Sequence, residues 1–126
     1  MRECGFRSLI VAMACALSSA PLTAQTQTAT NASAAREARA ADQALNARYK
    51  AASARLSPAS RLLLRNAQRS WIAFRDSQCT LEAAGVRGGS AYPMVEASCL
   101  KELAQQRIRQ LNKIMACEEG DLACPR

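Results

Sequence analysis

Through most of this chain the apolar positions recur at steps of three and four, the period of a helix face rather than of a strand. From about Ala34 to Leu56, the positions Ala38, Ala41, Leu45, Tyr49, Ala52 and Leu56 form one thin stripe. The surrounding residues are mostly Ala, Arg, Glu, Asp and Gln without Gly or Pro, which predicts a helix that needs a partner to be stable. Ser57-Pro58 marks a second start, because Ser57 suits the cap and proline suits the first helical position. That helix is predicted from Pro58 to about Ala84, ending at Gly85. Leu64, Ala67, Trp71, Phe74, Gln78 and Leu81 are expected as its bundle-facing seam. Residues 85–93 (GVRGGSAYP) read as a loop. A third helix is expected from near Pro93 to about Ala116. Its stripe contains Val95, Cys99 or Leu100, Leu103, Arg107 or Ile108, Leu111, and Ile114 or Met115. The tail 117–126 (CEEGDLACPR) reads as an irregular turn. Together these elements predict an all-α protein: a small three-helix up-down bundle forming one domain over residues 34–126. A polar, aperiodic stretch over residues 25–33 (QTQTATNAS) is expected as a disordered lead-in.

The first part of the chain changes the picture from fold to destination. Arg2 and Arg7 precede the apolar run Leu9–Leu17, and small residues follow up to Ala24. This order is that of a secretory signal peptide over residues 1–24. The run is about half the ~18 residues needed to cross a bilayer, so no transmembrane span is expected. Lipid anchoring at Cys15 is not expected either, since Ala12-Met13-Ala14 only weakly resembles a lipoprotein cleavage box. The expected location is periplasmic or secreted.

Removal of residues 1–24 takes away Arg2, Arg7 and Glu3 and leaves 102 residues with a net charge of +6. It also leaves four cysteines, Cys79, Cys99, Cys117 and Cys124, in a chain bound for an oxidising compartment, which favours disulfides. An antiparallel turn between the second and third helices brings Cys79 and Cys99 together. Cys117 and Cys124 then close a small ring in the tail, though four cysteines allow other pairings. By the chain-entropy account the two bridges contribute about 3.3 and 2.4 kcal/mol. No metal and no cofactor are expected: the chain has no histidine, no C-x-x-C knuckle, no phosphate loop and no dinucleotide fingerprint. The basic charge points to anionic envelope surfaces or acidic proteins, and export argues against nucleic acid.

The densest group of chemistry-bearing residues lies on the second helix. Gln68, Trp71, Arg75 and Cys79 share one face, with Arg75 placed to lie along the indole. Two readings compete. One is a structural core anchored on Trp71, with Arg75 bonded to helix-end carbonyls or a carboxylate. The other is a recognition patch, because Trp and Arg dominate binding hot spots. Asn46 on the first helix, near Tyr49, is expected to bond across to the second, the alternative being an exposed side chain, and Arg107 on the third either projects toward the bundle or is solvated. Catalysis is not expected and no catalytic residue is assigned. Without histidine there is no Ser-His or Cys-His system, and Glu82 with Glu96 is a chance pair among scattered acids.

The segments ADQALNARYK, LSPASRLLLRNAQRSWIAFRDSQC, GGS and ASCLKELAQQRIRQL carry the landmarks Asp42, Leu45-Asn46, Tyr49, Leu56-Ser57, Gln68, Trp71, Arg75, Cys79, Gly89, Cys99, Leu103, Arg107 and Leu111. In these the chain resembles the LprI-like lysozyme-inhibitor family of small exported bacterial proteins. The resemblance implies a helical envelope domain and a binding protein for a lysozyme-like partner, an inhibitor or regulator of peptidoglycan hydrolases. The alternative is a non-enzymatic structural or accessory envelope protein that binds an anionic surface through Arg61, Arg65 and Arg69, spaced four apart on one helix face.

Overall fold

A computed structural model describes residues 22–118 and 120–125, with side-chain surroundings from Thr26 onward. Met1–Pro21 lie outside the described residues, and with them most of the expected leader. The described chain forms three long helices: α1 (Leu22–Ala54), α2 (Pro58–Glu82) and α3 (Tyr92–Met115). No strand occurs among the described residues. A single 3₁₀ turn, Ala84–Val86, follows α2.

α1 and α3 run parallel and pack along their length, while α2 runs antiparallel and leans mainly on α3. Three cross-links fix the parallel register. The Asn31 amide donates to the Ser90 carbonyl at 2.9 Å, Lys101 Nζ meets Glu37 Oε2 at 2.9 Å, and Arg55 Nη1 donates to the Met115 carbonyl at 2.9 Å. They tie the start, the upper part and the end of the pair, and the last satisfies a carbonyl left open by the end of α3. The core consists of Ala41, Leu45, Ala52, Leu56, Leu64, Ala104 and Leu111, with Tyr49, Trp71, Ile108, Ile114 and Met115 packed against it. Alanines at the α1–α3 contact let two backbones approach closely. Leu45 and Leu111, almost fully buried, fill the remaining volume.

The turn into α2 follows the sequence signal. Ser57 Oγ accepts from the Ser60 amide at 3.2 Å, and Pro58 stands in the first turn. Arg61 closes the other side of this turn by donating to the carbonyls of Ser53 and Leu56, both at 3.2 Å. The link from α2 to α3 turns at Gly88, whose φ of 78° is left-handed and disfavours a side chain.

Two expectations are corrected here. The stretch 25–33 is part of α1 rather than a disordered lead-in. Side chains one turn apart hold it, Gln27 to Asn31 at 2.9 Å and Thr30 to the Thr26 carbonyl at 2.8 Å, and Asn31 docks it on Ser90. The seam of α2 is also rotated from the expected one. Ala67, Phe74 and Leu81 face solvent, while Leu64, Gln68 and Cys79 are buried and Trp71 and Arg75 half-buried. The polar–aromatic row is itself the packing face.

Candidate functional site

That row organises a network reaching all three helices. On α2, Trp71 presents its indole to two guanidinium groups. Arg75 Cζ lies 5.4 Å from the ring centroid and Arg107 Cζ, from α3, lies 5.8 Å away. Both distances are within the range of cation–π attraction. Two cations at one ring repel each other, and the surroundings treat them differently. Arg75 is held by carboxylates: Nη1 reaches Asp42 Oδ1 on α1 at 3.2 Å, and Nε and Nη2 reach Asp76 Oδ1 at 2.9 and 2.8 Å. Arg107 is held by neutral groups, donating from Nε to Gln68 Oε1 at 2.9 Å and from Nη1 to Gln110 Oε1 at 2.8 Å. Burial pushes the Arg107 guanidinium below its ordinary value, though an arginine remains charged there.

Gln68 is buried, and its carbonyl oxygen is used by Arg107, which makes the contact favourable to bury. Asn46 is exposed, and its amide donates to Asp42 Oδ2 at 3.1 Å within α1. It does not bond across to α2 as expected. It orients the carboxylate that does. Tyr49 is half-buried and packs on the core. Beside the network lies a cleft of about 340 Å³ lined by Ala38, Arg39, Asp42 and Gln43 of α1, Arg75 of α2 and Leu100 of α3.

Cys79 pairs with Cys99 and Cys117 with Cys124. The first bridge is buried between α2 and α3 one turn beyond Arg75. The second closes the tail, where Asp121 Oδ1 accepts from the Ala123 amide at 2.8 Å. Glu82 accepts from Gln78 and Glu96 from Tyr92, each within its own helix.

The structure thus brings Asn46, Gln68, Trp71, Arg75 and Arg107 into one network and leaves Tyr49 in the core. Sequence reasoning did not assign roles to Asp42, Asp76 and Gln110. Asp42 stands one turn before Asn46 and Gln110 three residues after Arg107. Asp76 directly follows Arg75, and of the three only Asp42 is among the landmarks of the family resemblance.

Such an arrangement defines a class: a disulfide-stapled helical bundle with a linked Trp–Arg–Gln–Asp surface. No solved structure matches the chain. The family profile of lysozyme inhibitor LprI matches residues 18–111, so the chain belongs to the LprI lysozyme-inhibitor family. It is also similar to an uncharacterized protein of Rhizobium meliloti (strain 1021), 36% identical over 95 residues that cover 65% of this chain and 68% of that one.

Proposed function

We propose that the protein is an exported, non-enzymatic binding protein that inhibits or regulates a lysozyme-type peptidoglycan hydrolase. One observation carries the reading: the family match spans every member of the Trp71 network. The groups gathered there are of the binding kind. An indole, two guanidiniums, amides and exposed carboxylates offer stacking and directional hydrogen bonds, without a nucleophile beside a base. Export fits the charged, apolar and small-residue order of residues 1–24. Among the described residues no helix is long and apolar enough to cross a membrane.

The net charge of +6 after loss of residues 1–24 gives no long-range attraction to a basic hydrolase. Affinity therefore comes from close contact, with Asp42 and Asp76 as the exposed carboxylates of the network. The deciding experiment is lysis of a peptidoglycan suspension by several lysozyme types with the oxidised protein in excess. Slower clearing is expected, and unchanged clearing with every lysozyme removes the reading.

A second reading has its own observation. Arg65 and Arg69 are exposed and have no hydrogen-bonded or ion-pair partner among the described residues. Arg61, in contrast, is engaged at the end of α1. These two cations suit an anionic envelope polymer. Retention on peptidoglycan or lipopolysaccharide that weakens with salt supports that role, and salt-insensitive retention counts against it.

A further inference from the structure

The two disulfides sit in opposite surroundings. Cys79 and Cys99 are 1% and 5% exposed, and their bridge lies between two continuous helices. Cys117 is exposed and Cys124 half-buried, in a tail outside any helix. The ring that they close is held from inside. The Asp121 amide donates to the Glu118 carbonyl at 3.3 Å, and the Cys124 amide to the Asp121 carbonyl at 3.2 Å. Among the described residues, no hydrogen bond or ion pair ties residues 117–125 to a helix. Leu122, the one large apolar side chain in the ring, is fully exposed. Yet the tail rests on the end of the bundle. Cys117, Cys124 and Pro125 share a cleft of about 400 Å³ with Leu56, Ile114 and Met115. Pro125 also borders Leu63 and Leu64 in a neighbouring hollow.

We infer that the tail is a redox-released cover over the apolar end of the bundle, opened by a dithiol reductant at Cys117–Cys124 while Cys79–Cys99 stays closed. Exchange needs a thiolate to reach a bridge sulfur, and exposed bridges are the labile ones. The buried bridge denies that approach and the tail bridge allows it. One thiolate of the reductant attacks the sulfur of Cys117, the exposed partner. The S–S bond breaks, and Cys124 leaves as a thiolate that takes a proton from water. The second thiol of the reductant then displaces Cys117 from the mixed disulfide. Two electrons have passed to the bridge, which becomes two thiols, and the reductant is left as its own disulfide. With the ring open, little but the contacts around Leu56, Ile114 and Met115 holds the tail in place, and the chain beyond Cys117 is free to leave them.

The test begins with the oxidised protein, its free thiols blocked with N-ethylmaleimide. Dithiothreitol is then titrated, the new thiols are labelled with iodoacetamide, and the labelled cysteines are mapped by mass spectrometry. Cys117 and Cys124 are expected to label at about tenfold less reductant than Cys79 and Cys99. At the reductant level that opens only the tail, dilute hydrogen peroxide reports on the cover. Met115 is half-buried at the cleft, and its conversion to the sulfoxide is expected to quicken severalfold. Met94, half-buried at the other end of α3, is the internal control and is expected to keep its rate. The double variant Cys117→Ser with Cys124→Ser is expected to show the fast Met115 rate without reductant, at unchanged helical content. Three results overturn the inference: the two bridges opening together, Cys79–Cys99 opening first, or a Met115 rate that stays at the oxidised value both after selective reduction and in the double variant.

Discussion

Between α1 and α3 the helices meet through Ala41, Leu45, Ala52, Ala104 and Leu111, small or branched apolar residues with no polar atom to satisfy. Against α3, α2 offers Leu64, then Gln68, Trp71, Arg75 and Cys79, a face on which two polar groups are set among apolar ones. The first contact gains from burial and close approach of backbones and tolerates any conditions that favour hydrophobic association. The second holds through a covalent bridge and through hydrogen bonds that each need a particular partner. The contrast shows how a thin, alanine-rich bundle divides its work. One helix pair forms the body, and the third helix is fastened to it with its chemistry kept at the surface.

Several substitutions break or sharpen that contrast. Leu111→Ala empties a fully buried site at the body and is expected to cost about 3–5 kcal/mol in urea unfolding, with α2 and the body lost together. The pair Cys79→Ala with Cys99→Ala is expected to cost about 3 kcal/mol. Here amide exchange should separate the two regions: α2 loses protection while α1 and α3 keep theirs. Equal loss in all three helices would show that the bridge supports the whole bundle rather than one helix.

Trp71→Ala removes the ring on which both arginines lie. Its half-buried position places the expected cost at about 2–3 kcal/mol, below that of a fully buried indole. An unchanged melting temperature would remove the anchoring role from Trp71. Asp42→Asn breaks the exposed link from α1 to Arg75 and is expected to cost at most about 1 kcal/mol, because the carboxylate is 48% exposed and screened. Its informative readout is hydrolase inhibition, where a larger effect than on stability places Asp42 in the contact surface.

The smallest effect concerns pH. A hydrogen bond from Lys101, then its charge, holds the Glu37 carboxyl below its ordinary value near 4.5, with Ser33 adding to the shift. A lowered carboxylate stabilises the fold above that ordinary value. The contribution disappears as pH falls through the lower folded value. Melting temperature is therefore expected to drop slightly on acidification below about pH 4.5. The drop should shrink in Lys101→Met, and an equal drop in that variant would remove the pair as its cause.

Much of the body was legible because it is built from local rules. The α1 stripe Ala41, Leu45, Ala52 and Leu56 is buried as its spacing requires, and Ser57-Pro58 starts α2 as the cap rule requires. Cys79 and Cys99 lie on either side of an antiparallel turn, which is where they pair. The α2 seam was misplaced because periodicity weighs each side chain by its own polarity. Ala67, Phe74 and Leu81 look buried on that measure, while Gln68 and Arg75 look exposed. What buries Gln68 is Arg107 of α3, and what draws Arg75 inward is Trp71 with Asp42 of α1. Partners on other helices leave no trace in the local pattern. The same holds for residues 25–33, whose polar composition concealed the contact between Asn31 and Ser90.

α1 outruns the helix it lies on. It spans about 50 Å, against about 36 Å for α3, and the hydrogen bond from Asn31 to Ser90 joins it to the turn just before α3. Thr28, Ala29 and Thr30, the last residues before that contact, are exposed, so this part of α1 lengthens the bundle without adding to its buried core.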